Sequence, residues 1–162
     1  MLALTIQQPW AAAIAYGRKR IENRTWRTKY TGPILIHAAK TVRGRADREF
    51  IRGIDPDIPE TAYTANRGEI IAVAMLERCV SRHALRSIFR GQAVHDGIPA
   101  DVVEMYAEGP VCWMLSNVRR CVPVAARGRQ TLWESGLEPI DEIPGGLILL
   151  GPTKERDDGR EV

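Results

Sequence analysis

The sequence contains little cysteine and little histidine, with three residues of each among its 162. The cysteines are odd in number and far apart, which argues against a framework of disulfide bonds. The histidines do not supply the spacing that would complete a four-ligand zinc site with them, so we expect no metal and no other cofactor. Reduced, mostly buried thiols of this kind are typical of a cytoplasmic protein.

Long apolar runs are missing as well. No apolar run is longer than that over residues 70–76, which is too short for a helix that crosses a bilayer. The N-terminus has neither the basic start nor the apolar stretch of a secretory signal. We therefore expect a cytoplasmic protein with no membrane partner, folded as one domain over residues 1–152. The polar tail over residues 153–162 is expected to be disordered.

Acidic residues are scarce in one part of the chain. Between Arg18 and Arg52 there are eleven Lys or Arg residues and only three Asp or Glu residues, although the net charge of the whole chain is only +3. A local excess of this kind indicates an anionic partner such as nucleic acid. The alternative is a solvated basic face that binds nothing.

The start of this basic segment predicts a helix followed by a strand. An alanine-rich stretch opened by a proline ends at Gly17, as a short helix would. Residues 19–26 are expected to form a strand, on which Glu22 and Arg24 share one face. Lys19 joins them only if the backbone bends after Gly17, which a glycine permits.

The remaining pattern predicts an α+β fold. Residues 110–116 and 120–124 are expected to form a hairpin through Asn117, and residues 41–52 a helix. About six short strands with peripheral helices favour a closed mixed β-barrel over a doubly wound parallel sheet.

Lys19, Glu22 and Arg24 are the strongest candidates for a functional site. The two cations can hold a phosphate or a base edge, and Glu22 can accept hydrogen bonds from a base amino group. Glu22 can instead act as a general base, with Lys19 as its catalytic partner. The structural alternative is an exposed ladder of ion pairs on a strand surface.

Further candidates surround these three residues. Trp10 and Trp26 can stack on a base, and core packing is the alternative for both. His37 can contact a ligand, and the alternative is a core histidine whose hydrogen bonds are made within the protein. Lys40 can bind a phosphate. A basic helix face would extend the contact along a nucleic-acid backbone through Arg45, Arg48 and Arg52.

The motifs in this order resemble the ASCH domain, the activating signal cointegrator 1 homology domain. The resemblance is carried by residues 4–11 (LTIQQPWA), 17–26 (GRKRIENRTW), 32–38 (GPILIHA), 68–72 (GEIIA) and 128–134 (GRQTLWE). The family consists of PUA-like β-barrels associated with RNA metabolism. The first stretch is specific, and the later ones are weaker alone but fall in the right order.

The resemblance implies a cleft beside the first helix that binds RNA, another single-stranded nucleic acid, or a nucleotide or nucleoside. We expect the binding unit to be a monomer. The residues of the cleft would be Lys19, Glu22 and Arg24, with Gln8, Pro9 and Trp10 near its rim.

Some members similar to this sequence are hydrolases. One bacterial branch resembles acetylcytidine amidohydrolases, which use a lysine and a threonine three residues apart, and ribonuclease activity has been proposed for other members. Lys19 matches that lysine, but Glu22 stands where the threonine nucleophile would be. The sequence therefore predicts nucleic-acid binding, with a small hydrolase using Glu22 as general base as the alternative.

Overall fold

The computed structural model describes residues 1–95 and 97–153. The strands are β1 (Leu2–Gln8), β2 (Ile21–Arg24), β3 (Gly32–Val42), β4 (Glu69–Ser81), β5 (Val94–His95), β6 (Ile98–Pro99), β7 (Val111–Ala125), β8 (Leu132–Glu134), β9 (Leu137–Ile143) and β10 (Leu147–Pro152). The helices are α1 (Trp10–Ala15), α2 (Arg45–Ile54), α3 (Glu60–Thr64), α4 (Arg82–Ile88) and α5 (Ala100–Tyr106). Apart from Thr153, the predicted polar tail lies outside the described residues.

Eight of the strands form one mixed sheet. Their order is β8-β1-β3-β4-β7-β10-β9, and β2 pairs with β7 beside this path, while β5 and β6 form a separate ribbon. The pairs β1–β3 and β7–β10 are parallel, and the other pairs are antiparallel. No ladder joins the edge strands β8 and β9 within the described part of the chain. The predicted α+β class is confirmed. The predicted closed barrel of about six strands is wrong, because the sheet is open and has eight strands.

Strand β7 is the point at which the sheet branches. It pairs with β4 along its length, with β2 over residues 111–114, and with β10 at Cys121. The predicted hairpin at Asn117 is wrong. Asn117 has a φ of 45°, as a turn residue would, but the ladder to β4 shifts register between Val73 and Met75 and then continues.

Helix α1 packs directly on the sheet because its side chains are small. Residues 11–15 are all buried, and they contact β1 and β3. The chain turns at Gly17, where an added Cβ would lie 2.6 Å from Asp55 Oδ2 and 2.7 Å from Ile58 Cδ1. Glycine at this position therefore allows the chain to pass closely under the segment that carries Asp55.

The predicted helix over residues 41–52 begins later than expected. Strand β3 continues to Val42, which pairs with Gln8, and the Arg43 amide then donates to the Gln8 carbonyl at 2.7 Å. Helix α2 consequently runs from Arg45 to Ile54. Of the helices that the structure describes, none is long and apolar enough to cross a membrane.

Candidate functional site

A cavity of about 530 Å³ lies between β1, β2, the start of α2 and the end of α5. Four of the predicted residues line it, namely Trp10, Lys19, Glu22 and Arg24. No motif or spacing in the sequence indicates the other residues of its wall, among them Thr5, Gln7, Asn23, Arg43, Asp47 and Tyr106.

A row of three charged side chains, two of them buried, forms the floor of this cavity. Lys19 is only 1% exposed, and its Nζ donates to Glu22 Oε2 at 2.9 Å and to the Ile21 carbonyl. Glu22 is 8% exposed, and its other oxygen lies 3.3 Å from Arg24 Nε as an ion pair. Arg24 Nη2 donates to the Thr5 carbonyl at 2.6 Å. Lys19 and Glu22 are buried and Arg24 is half-buried, so the alternative of an exposed ion-pair ladder is wrong.

Two aromatic rings flank the Lys19 ammonium. Its Nζ lies 5.8 Å from the centroid of the Trp10 ring and 5.7 Å from that of Tyr106. The two rings pack edge to face with their centroids 6.4 Å apart, and Trp10 Nε1 donates to Asp47 Oδ2 at 3.3 Å. Electron-rich ring faces attract a desolvated cation, so the two rings stabilise the position of the Lys19 side chain inside the fold.

Asp55 fixes the position of Tyr106. It is 7% exposed, and its Oδ2 accepts from the Tyr106 hydroxyl at 2.9 Å and from the Arg18 amide at 3.0 Å, while Oδ1 accepts from Arg18 Nε at 3.1 Å. Burial, followed by this hydrogen bond to Asp55, raises the pKa of Tyr106. Tyr106 therefore stays protonated and presents its ring to the cavity.

Asn23 joins β2 to the end of α5. Its Nδ2 donates to the Tyr106 carbonyl at 2.7 Å, and its Oδ1 accepts from the amides of Glu108 and Gly109 at 3.1 and 2.9 Å. An added Cβ at Gly109 would lie 2.7 Å from Asn23 Cβ, so the two segments approach closely. The wall formed by α5 is thus held against the strand that carries Glu22.

Comparison with known proteins identifies the family. The ASCH domain model matches residues 4–125, which is well over half of the chain. The chain belongs to the ASCH domain family.

Similar solved structures include an ASCH protein from Zymomonas mobilis, with 18% identity, a TM-score of 0.42, and coverage of 76% of this chain and 72% of that one. The N-terminal domain of Staphylothermus marinus McrB has 12% identity and a TM-score of 0.25, with coverage of 57% of this chain and 51% of that one. No curated protein matches this ASCH chain.

Three other predicted residues of the ASCH domain lie away from the cavity lining. Gln8 is buried, donates to the Ala62 carbonyl at 3.1 Å and accepts from the Ala12 amide at 3.1 Å, so it fixes the start of α1. Pro9 is buried just before that helix. The Trp26 ring packs edge to face on Trp113 at 4.6 Å. A direct role for them in binding stays a prediction.

The arginines of α2 lie on the outer surface of the ASCH domain and line neither this cavity nor the one described next. Arg45 pairs with Glu49 at 2.7 Å, Arg48 pairs with Glu60 at 3.1 Å, and Arg52 pairs with Glu60. A contact between this face and nucleic acid likewise stays a prediction.

His37 and Lys40 line a second cavity of about 1060 Å³ on the other side of β1. His37 is 2% exposed, and its Nε2 lies 3.1 Å from the Ala126 carbonyl. A carbonyl can only accept, so Nε2 carries the proton. Burial lowers the pKa of His37 and outweighs the carbonyls of Ala126 and Gly68, which raise it. His37 is therefore neutral near pH 7.

Lowering the pH should destabilise the ASCH domain through His37. The pKa of His37 is lower in the folded chain than its ordinary value of 6.5, so the unfolded chain takes up the proton first. This contribution to stability is fully present above pH 6.5 and is lost as the pH falls from there through the folded-state pKa.

Urea unfolding of the wild type and of His37→Gln at about pH 7.5 and about pH 5.5 measures this loss. Glutamine can donate a similar hydrogen bond but does not titrate, so the variant should lose less stability over the interval. Equal losses in the two proteins would contradict the assignment.

Proposed function

We propose that this ASCH domain binds single-stranded RNA and holds one base in the cavity around Lys19, Glu22 and Arg24. The observation that carries the proposal is the charge row on the cavity floor, with its buried Lys19–Glu22 pair, beside a wall formed by Trp10 and Tyr106. Buried ionised groups are costly unless they are paired, and they are concentrated at functional sites. Membership of a family associated with RNA supports the choice of ligand.

The charge balance of the cavity favours a base over a phosphate. The lining contains equal numbers of cations and anions, namely Lys19, Arg24 and Arg43 against Glu22, Asp47 and Glu108. A base is uncharged but carries donors and acceptors along its edges, which such a mixed lining can match. Its flat apolar faces suit the aromatic wall.

The hydrolase alternative receives less support from the geometry. A general base needs an oxygen that can approach a water molecule and take its proton. Both oxygens of Glu22 already face cations of the protein, one facing Lys19 and the other Arg24. This arrangement suits a fixed acceptor that orients a ligand better than a group that exchanges protons.

Replacing Arg24 and Arg43 together by glutamine should weaken the binding of a short fluorescent single-stranded RNA at least about tenfold. Both side chains line the cavity, and the Lys19–Glu22 pair stays in place. A hydrogen bond to a charged group contributes about 1.5–3 kcal/mol, so the loss of one such contact suffices for this effect. Fluorescence anisotropy at a fixed salt concentration measures the dissociation constant.

The matched control is Arg27→Gln/Lys29→Gln. It removes the same charge from two exposed residues that line neither cavity. Similar losses of affinity in both double variants would indicate attraction by net charge alone. That result, or unchanged affinity in the Arg24/Arg43 variant, would refute the proposed base site.

A further inference from the structure

The second cavity differs from the first in its charge. Its basic side chains outnumber the acidic ones four to one, as Lys40, Arg67, Arg127 and Arg129 against Glu69. All four cations are exposed at the rim. Since His37 at the floor is neutral near pH 7, the positive potential comes from these lysine and arginine side chains alone.

The four cations are available to a ligand. Within residues 1–95 and 97–153, no acidic side chain forms an ion pair with any of them. The arginines of α2 differ in this respect, because each of them pairs with a glutamate. Unpaired cations that share one cavity raise its affinity for a polyanion.

The backbone that carries Arg127 and Arg129 is held on the sheet. The Ala126 carbonyl accepts from His37 Nε2 at 3.1 Å, and the Ala126 amide donates to the Gly68 carbonyl at 3.0 Å. Gly128 then passes over the His37 ring, where an added Cβ would lie 2.4 Å from Cε1. The backbone that carries the two arginines is therefore placed at the rim before any ligand arrives, so only their side chains need to be ordered on binding.

The two cavities share a wall. Thr5 and Gln7 line both of them. The Thr5 carbonyl accepts from Arg24 at 2.6 Å in the first cavity, and its hydroxyl accepts from Trp133 Nε1 at 3.1 Å beside the second. A strand of RNA with a base in the first cavity can thus cross β1 and reach the second without leaving the surface.

We propose that the second cavity binds the phosphodiester backbone of the same RNA strand whose base occupies the first cavity. This inference rests on the proposed function and assigns a different part of the RNA to each cavity. The charge-balanced cavity takes the base, and the basic cavity takes the adjoining phosphates. Lys40, Arg127 and Arg129 are the residues that contact the phosphates, and Gly128 and His37 position the arginines.

The test compares Arg127→Gln/Arg129→Gln with the wild type, with Arg27→Gln/Lys29→Gln and with Arg24→Gln/Arg43→Gln, using the same short single-stranded RNA. Anisotropy titrations between about 50 and about 200 mM salt give the slope of log K against log salt for each protein. A single-strand phosphate contact contributes about 0.7 to this slope, so the Arg127/Arg129 variant should lose about 1.4. The Arg27/Lys29 control should retain the wild-type slope.

The outcomes separate the two proposals. If RNA binding falls in the Arg24/Arg43 variant while the Arg127/Arg129 variant keeps the wild-type affinity and slope, the backbone site is wrong and the base site stands. If only the Arg127/Arg129 variant is affected, the second cavity binds the phosphates, but the base site is wrong, and so is the placement of one strand across both cavities. A wild type that binds no RNA refutes both, and a control that loses as much slope as the Arg127/Arg129 variant refutes the backbone site.

Discussion

Replacing Glu22 by leucine is expected to lower the free energy of unfolding by about 3–5 kcal/mol. The substitution removes the carboxylate that lies 2.9 Å from Lys19 Nζ and leaves a lysine that is 1% exposed without its counterion. Removing one partner of a buried ion pair is costly because the remaining charge stays out of water. Urea unfolding measures the loss when the dependence of the unfolding free energy on urea concentration is fitted separately for each protein. Thermal unfolding should show a lower midpoint temperature.

The double variant Lys19→Met/Glu22→Leu separates the charge from the packing. It removes the fully buried unpaired charge and leaves only Arg24, whose side chain is 22% exposed, without its ion-pair partner. The double variant should therefore recover much of the stability that the single variant loses. It should not recover RNA binding, because the polar floor of the cavity is gone. A loss below about 1 kcal/mol in Glu22→Leu, which is the size expected for an exposed ion pair, would contradict the buried pair.

Replacing Asp55 by alanine is expected to cost about 3 kcal/mol of stability and also to weaken RNA binding. Three donors on Arg18 and Tyr106 lose a buried carboxylate acceptor. The bond from the buried Tyr106 hydroxyl to the Asp55 carboxylate contributes about 1.5–3 kcal/mol. The Arg18 ion pair adds less than about 1 kcal/mol, because the Arg18 side chain is 52% exposed. Without Asp55, the Tyr106 ring is no longer held at the cavity wall. Urea unfolding and RNA anisotropy on the same preparation measure both effects.

Asp101→Ala is the matched control for this experiment. Asp101 also pairs with Arg18, at 3.0 Å, but the side chain of Asp101 is 56% exposed. An exposed pair contributes less than about 1 kcal/mol, so the control should keep both stability and binding. If Asp55→Ala resembles Asp101→Ala in both measurements, Asp55 does not position Tyr106.

The part of the site predicted from the sequence is its local part. Glu22 and Arg24 lie two residues apart on one strand, so their shared face follows from the pleat alone. The approach of Lys19 needs only the turn that Gly17 permits. The two-residue period of a strand and the short spacing between Lys19 and Glu22 are therefore enough to predict the residues of the cavity floor.

The walls of the site depend on distant parts of the chain. Tyr106 is held at the cavity by Asp55 and Asn23, which lie in segments far from it in sequence. No spacing within any of these segments indicates that they meet. The sequence pattern predicts two strands in place of β7, joined at Asn117, for a related reason. An asparagine with positive φ is typical of a turn, but here the long pairing with β4 carries the strand through it.

Thr5 stands between the two cavities, with its carbonyl bonded on one side and its hydroxyl on the other. If filling one cavity shifts Thr5, the group of Thr5 that faces the other cavity moves as well, because the carbonyl and the hydroxyl belong to the same residue. Thermodynamic linkage then imposes a symmetry on any such effect. If a bound phosphate chain raises the affinity for a base by some factor, a bound base must raise the affinity for the phosphate chain by the same factor.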